Sequence, residues 1–168
     1  MKHIQLDDLN EMSKIYRLNL VNSITGYKSA HLIGSQSLDG KDNVAIFSSV
    51  IHLGSNPALI GFILRPTSVP RHTYSNIKAT GIFTLNAITK KQIKDAHHTS
   101  AKYPEEISEF DKTNLKIEKK EDWSAPFVKD VPIQMGCRYQ NEYHIKENDT
   151  KMIVASVEHL YVSESLLL

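Results

Sequence analysis

The sequence predicts a mainly β protein, an antiparallel sheet or closed barrel with peripheral helices. Three observations carry that expectation. The clearest alternation in the chain puts Ile133, Met135, Cys137 and Tyr139 on one face, and a turn at Glu147-Asn148-Asp149-Thr150 then leads into a returning strand from Met152 to Tyr161. Asp39-Gly40 is a tight-turn signature between two strand-like stretches. The strands follow one another through hairpins, not through βαβ units, which argues against a parallel sheet.

Taken in order, residues 7–25 read as a helix. Asp7 or Asp8 caps its start, Leu9, Met12, Ile15 and Tyr16 repeat at helical spacing, and Gly26 stops it. From Ser29 the period changes. Ala30 to Ser35 reads as a strand, Leu38-Asp39-Gly40-Lys41 as the turn, and Asn43 to Val50 as the partner strand. Asn56-Pro57 marks a further turn. Ala58 to Leu64, all apolar or Gly, looks like a strand buried on both faces.

Ser68 is a candidate helix N-cap with Pro70 in the first turn, where its missing N–H costs little. Tyr74, Ile77 and Ala79 lie along that short helix and Gly81 ends it. Ile82 to Ala87 is another strand, and Lys90 to His98 has helical composition. Glu105 to Phe110 adds a further turn of helix. Asn114 to Trp123 is charged and ambiguous, and Pro126 and Pro132 bracket an irregular crossing. Residues 133–146 and 152–161 then form a long hairpin.

The chain of 168 residues suits a single domain, 1–168, with a full core. Its net charge of +1 is unlike that of a basic nucleic-acid binder, and Lys116, Lys119 and Lys120 are interleaved with Glu118 and Glu121. Cys137 is the only cysteine, so no intrachain disulfide is available. Asp7, Asp8 and Glu11 stand where a signal peptide would be apolar, and no apolar run approaches the roughly 20 residues of a membrane helix. These features point to a soluble, cytoplasmic protein with neither nucleic acid nor membrane as partner.

The chemistry concentrates between Asn43 and Asn76. Arg65 follows the buried strand, and Thr67, Ser68, Arg71 and Thr73 crowd into the next eight positions. Two guanidinium forks and several hydroxyls beside an apolar wall suit a ligand with a phosphate at one end and a flat ring at the other. A helix starting near Ser68 adds free N–H groups to the same end. Other candidates are weaker. Cys137 has no base nearby on its strand and reads as a buried structural thiol. His97-His98 lacks a third ligand at metal spacing, so no metal is expected. His52 is either a proton donor of the site or an exposed loop residue. There is no Gly-rich phosphate loop and no nucleophile elbow.

The segments Asn43 to Val50, Asn56-Pro57, Arg65-Pro66 with Arg71 to Ile77, and Gly81 to Asn86 together resemble the flavin reductase-like family, in its flavoredoxin-like subgroup. The resemblance runs from about Ser29 to Tyr161, and it rests on four motifs in order. It implies the FMN-binding split β-barrel, antiparallel and Greek-key-like. It implies that Phe47, Ser48, Ser49 and Val50 hold the polar edge of the flavin ring. It implies a phosphate end made by Arg65, Pro66, Thr67, Ser68, Arg71, His72, Thr73 and Tyr74. The stretch Ala96 to Tyr103 resembles a segment that closes over the cofactor, which adds Ala101 and Lys102. One departure is Ile51, where many members carry a second Ser or Thr.

The resemblance further implies electron transfer from NADH or NADPH to flavin, FMN held non-covalently, and a homodimer with an electron acceptor or partner oxygenase downstream. The flavin carries the redox chemistry, so no catalytic side chain is assigned. The alternatives are a flavin-binding electron carrier without turnover and a split-barrel oxidase acting on a small organic substrate. Leu166-Leu167-Leu168 is expected to pack on a partner subunit or to mark a chain cut short.

Overall fold

A computed structural model describes residues 1–104 and 106–167. Among the described residues, nine strands and four α-helices follow one another as α1 (Leu6–Glu11), α2 (Lys14–Ser23), β1 (His31–Gln36), β2 (Asp42–Phe47), β3 (Ile51–Ser55), β4 (Ala58–Leu64), α3 (His72–Thr80), β5 (Ile82–Ala87), α4 (Ile93–His98), β6 (Ile117–Lys120), β7 (Trp123–Val128), β8 (Ile133–Ile145) and β9 (Thr150–Val162). Seven strands form one sheet in the order β2-β1-β5-β8-β9-β4-β3, every pairing antiparallel, while β6 and β7 form a separate hairpin. The antiparallel class read from the alternation is therefore the observed one.

The sheet curls around one apolar interior. Ile33 of β1, Phe62 and Leu64 of β4, Phe83 and Leu85 of β5, Cys137 of β8 and Ile153 of β9 are buried there, and Ile77 of α3 closes one end. Three rings run through it edge to face: Phe47 on Phe62 with centroids 5.2 Å apart, and Phe62 on Phe83 at 5.7 Å. A second cluster, with Leu32, Val44, Ala96, Phe110 and Val128, fills the space between β1–β2 and the segments laid over them.

The β6–β7 hairpin lies across β1 and β5. Thr84 Oγ1 donates to Pro126 O at 2.6 Å, Val128 N–H donates to Asn86 Oδ1 at 2.9 Å, and Trp123 Nε1 donates to Phe83 O at 3.2 Å. The crossing is so close that a Cβ on Gly34 would sit 2.0 Å from Pro126 O, so only glycine fits there.

Several elements depart from the sequence reading. The helix expected over 7–25 is two helices, because Met12 is extended between them (φ −64, ψ 145). β3 lies between the Asn43 strand and the Asn56-Pro57 turn, where the sequence predicts no element. Its Ile-His-Leu-Gly run is too short and mixed to show a period by itself. The expected irregular crossing between Pro126 and Pro132 instead starts inside β7. Pro126 is tolerated in this two-stranded hairpin, where each strand has a free edge. The extra turn expected over 105–110 is a 3-10 turn at Glu109–Lys112, and Glu105 itself lies outside the described residues, as does Leu168.

Candidate functional site

Three segments meet at one end of the barrel, and four side-chain hydrogen bonds hold them. At the end of β2 the chain turns through Ser48, Ser49 and Val50. The Ser49 hydroxyl donates to Ile63 O and accepts from Ile63 N–H, both at 3.1 Å, so this turn is fastened to β4 two residues before Arg65. Ile46 N–H donates to Thr99 Oγ1 at 3.0 Å, which fastens the C-terminus of α4, and with it Ala101 and Lys102, beside the end of β2. Thr73 Oγ1 donates to Asn43 Oδ1 at 3.1 Å, which fastens the start of α3 to β2.

The expected cation end is largely open. Arg65 is exposed at the end of β4 and makes no side-chain hydrogen bond or ion pair among the described residues. Arg71 Nε donates to Pro66 O at 3.4 Å, which folds the loop on itself and leaves the rest of the guanidinium fork unused. Thr67 and Ser68 are exposed in this loop, and Ala101 and Lys102 are exposed in theirs. Helix α3 does not begin near Ser68. Arg71 is its N-cap with extended backbone (φ −129, ψ 97), and the first helical bond runs from Ser75 N–H to Arg71 O. Pro70 disfavours helical geometry at Val69 before it, so the helix starts after the proline. The amides of His72, Thr73 and Tyr74 are thus first-turn donors without an intrahelical partner, directly after Arg71.

Two expected contacts are committed elsewhere. Thr73 is buried, with its hydroxyl on Asn43. The Tyr74 hydroxyl donates to the Glu142 carboxylate at 2.9 and 3.1 Å. Phe47 directs its ring into the barrel against Phe62, and Val50 packs on the same cluster. His72 is half-buried and Ser48 exposed. His52 is exposed on β3. His97 and His98 are exposed, with His98 Nε2 3.1 Å from the Tyr103 hydroxyl, and no cluster of three metal-ligating side chains occurs among the described residues. Cys137 is fully buried, and burial, helped by the nearby Glu158 charge, pushes its thiol up to about 12.

Buried polar contacts between distant residues lie behind these segments. Asn43 Nδ2 and Val44 N–H both donate to the buried Glu109 carboxylate, Ser35 donates to Asn43 Oδ1, and Asn76 donates to Ser35. This buried polar chain joins β1, β2, α3 and the 109–112 turn. Opposite Leu64 on β9 stands Lys151, whose ammonium lies 3.1 Å from Glu142 and 5.6 Å from the Tyr74 ring centroid. Burial pushes the Glu142 carboxyl up, but hydrogen bonds from Lys151, Tyr74 and Tyr139, with the charge of Lys78, outweigh it and hold the carboxyl below its ordinary value. The Tyr74 hydroxyl is raised by burial and by its bond to Glu142.

The antiparallel sheet, with its two arginines on the loop between β4 and α3, puts the chain in the split-barrel class. Within it, a family model described as the flavin reductase like domain matches residues 28–168. The chain belongs to the flavin reductase-like family. A candidate flavin reductase with a split barrel domain from Shewanella frigidimarina NCIMB 400 is 38% identical. It overlays with a TM-score of 0.95 on 100% of this chain and 83% of its own, so the overlay includes the helical arm before β1. Nitrilotriacetate monooxygenase component B from Bacillus cereus, 22% identical, covers 100% of this chain and 84% of its own (TM-score 0.84). Flavoredoxin of Desulfovibrio vulgaris (Miyazaki F), 20% identical, covers 85% and 74% (TM-score 0.73), and both share the fold. Among curated sequences, an uncharacterized protein of Methanothermobacter thermautotrophicus is 28% identical over 138 residues, which is 80% of this chain and 63% of that protein. This chain therefore spans less than two thirds of that relative's length.

Proposed function

We propose that this protein binds FMN non-covalently and transfers electrons to it from NADH or NADPH. The observation that supports this best is Arg65. It is an exposed guanidinium without a protein partner among the described residues, at the head of the loop that leads from a core strand to the start of α3. A phosphate dianion supplies the acceptors that this arrangement lacks. Arg71, Thr67 and Ser68 complete that end, and Lys102 is assigned to it from the loop after α4, whose C-terminus the Thr99–Ile46 bond fastens to β2. Pro66 and His72 shape the loop around it.

The polar edge of the ring is assigned to Ser48, Ser49 and Val50. The Ser49 hydroxyl is spent on Ile63, so the contacts there come from backbone amides, and the described residues make no hydrogen bond to those amides. Phe47 and Val50 support this turn from beneath. Bound FMN supplies hydride and electron chemistry; this chain's residues bind it, orient it and hold its charge. The working unit is a homodimer, because a single split barrel leaves one side of the ring open. The unpaired thiol fits a cytoplasmic location.

The test is the visible spectrum of the protein reconstituted with FMN, before and after anaerobic NADH and then NADPH. Prompt bleaching supports the reductase. A yellow protein inert to both donors points to an electron carrier, and oxygen uptake that needs an added organic substrate points to an oxidase. A protein that takes up no FMN overturns the reading.

A further inference from the structure

Six lysines from three separate stretches of the sequence come together over the second apolar cluster. Lys90 and Lys91 stand on the 3-10 turn Lys90–Gln92 that runs straight into α4, and Lys94 stands on α4 itself. Gln92 Nε2 donates to Asp130 O at 2.8 Å, which fastens this stretch to the segment after β7, beside Lys129. Asn114 N–H and Nδ2 both donate to Asp95 Oδ1 at 3.1 Å, which brings the segment from Lys112 to Lys116 alongside α4. Lys129 N–H donates to Lys116 O at 2.8 Å, one rung beyond the Ile117–Val128 pair. Beneath them Ala96, Leu115 and Val128 are buried in one cluster.

All six lysines are exposed, and none forms an ion pair among the described residues. Lys129 adds to the charges that hold the Glu118 carboxyl below its ordinary value, without pairing with it. Elsewhere on the barrel Lys78, Lys119, Lys120 and Lys151 each lie 2.6–3.4 Å from a carboxylate oxygen. The acids of the lysine face are fewer: Asp95 is half-buried against Asn114, and Asp111 and Asp130 are exposed. The arrangement is unfavourable in the isolated chain. Lys116 and Lys129 stand across from each other in an antiparallel pair, and Lys90 and Lys94 stand one helical turn apart; like charges so placed repel. An anionic surface laid over them removes that repulsion.

We infer that this lysine face docks an acidic protein that accepts electrons from the bound flavin. Residue type favours that occupant. A lysine is a point charge on a flexible stem without the fork that grips a phosphate, and it suits carboxylates spread over a protein surface. Extent favours it too, because charges drawn from three segments are broader than a nucleotide, while the whole chain carries only +1 and is no general polyanion binder. Position is the third point. Thr99, the C-cap of α4, is bonded to Ile46 two residues before Ser48, and Lys94 and Lys91 lie roughly 8–12 Å back along the helical stretch. A partner seated on the lysines therefore sits beside the turn assigned to the ring edge. For each hydride taken from the nicotinamide, which is oxidised, two electrons pass to the partner, which is reduced, and one proton goes to solvent. The electron transfer rests on the reductase reading above; the docking does not.

The probe is cytochrome b5, an acidic haem protein, with the basic cytochrome c as its counterpart. Binding to the full chain without flavin is read by isothermal titration calorimetry at low ionic strength. Cytochrome b5 is expected to bind, and added salt to weaken it about tenfold or more. Lys91→Glu with Lys116→Glu is expected to weaken it by a similar factor, with an unchanged circular dichroism spectrum. The charge-matched pair Lys14→Glu and Lys146→Glu, on α2 and at the β8–β9 turn, is expected to change it little. With FMN and NADH present, the face substitutions are expected to slow cytochrome b5 reduction and to leave NADH oxidation by FMN unchanged. No binding of cytochrome b5 overturns the inference, as does equal weakening by the charge-matched pair. Tighter binding of cytochrome c or of a single-stranded oligonucleotide overturns it as well. Docking that responds to the face substitutions in a protein that never oxidises NADH leaves the lysine face standing and overturns the reductase reading. NADH oxidation without docking does the reverse.

Discussion

The Ser49 hydroxyl stands where a strand backbone would stand for Ile63, donating to its carbonyl and accepting from its amide at 3.1 Å each. The ladder that pairs Ile51 with Gly61 would next pair Ser49 with Ile63, and a side chain makes that rung in place of the main chain. The turn at Ser48–Val50 thereby leaves the sheet while staying fastened to it.

Ser49→Ala leaves a half-buried amide and carbonyl of Ile63 without that partner. It is expected to cost about 1–3 kcal/mol of stability, read from urea unfolding. Because the turn loosens, FMN and riboflavin affinity are expected to fall together. A stable variant with unchanged affinity for both flavins would show that the rung is dispensable.

Arg65→Ala and Arg71→Ala each remove a charge-assisted contact of about 1.5–3 kcal/mol if they hold a phosphate, which is roughly a tenfold to hundredfold loss of FMN affinity. Riboflavin affinity is expected to stay within error, and Lys at either position to give an intermediate loss. Fluorescence titration of both flavins decides it. Equal weakening of the two would move the phosphate away from these arginines.

Thr73→Val takes a donor from Asn43 inside the buried chain that reaches Glu109. About 1–2 kcal/mol of stability is expected to go, with Thr73→Ser restoring most of it. The ratio of FMN to riboflavin affinity is expected to hold. A selective loss of FMN would return Thr73 to direct phosphate contact.

Glu142 is held below its ordinary carboxylate value in the folded chain, so it binds protons less readily there than when unfolded. Its contribution to stability is complete above the unfolded value and is lost as pH falls through the folded one, a window below about pH 4.5. Glu142→Gln is expected to flatten the acid limb of the stability profile below about pH 4.5. An acid limb identical to wild type would count against the coupling of Glu142 with Lys151, Tyr74 and Tyr139.

The Cys137 thiol, fully buried and pushed up to about 12, is expected to resist a thiol reagent at pH 8 in the native protein and to react once denaturant opens the barrel. Native-state reaction at the rate of a free thiol would place Cys137 on an accessible surface.

The sequence by itself determined the antiparallel class and the long β8–β9 hairpin, because a period of two and turn residues are local properties of the chain. It also marked Arg65 and Arg71, since cations and hydroxyls crowd into one short stretch after a buried strand. What it left open depends on contacts between distant residues. β3 is a strand through its pairing with β4, and β6–β7 through lying across β1 and β5, where Gly34 makes room for Pro126. The start of α3 moved from Ser68 to Arg71 because Pro70 excluded the helix upstream of it. Thr73 and Tyr74 were within the right segment, but only the tertiary structure decided that their hydroxyls go to Asn43 and Glu142, 30 and 68 residues away. The arm shows the same limit from the other side: its helical period was legible, but whether that apolar face meets its own barrel or another surface is fixed by packing, not by spacing.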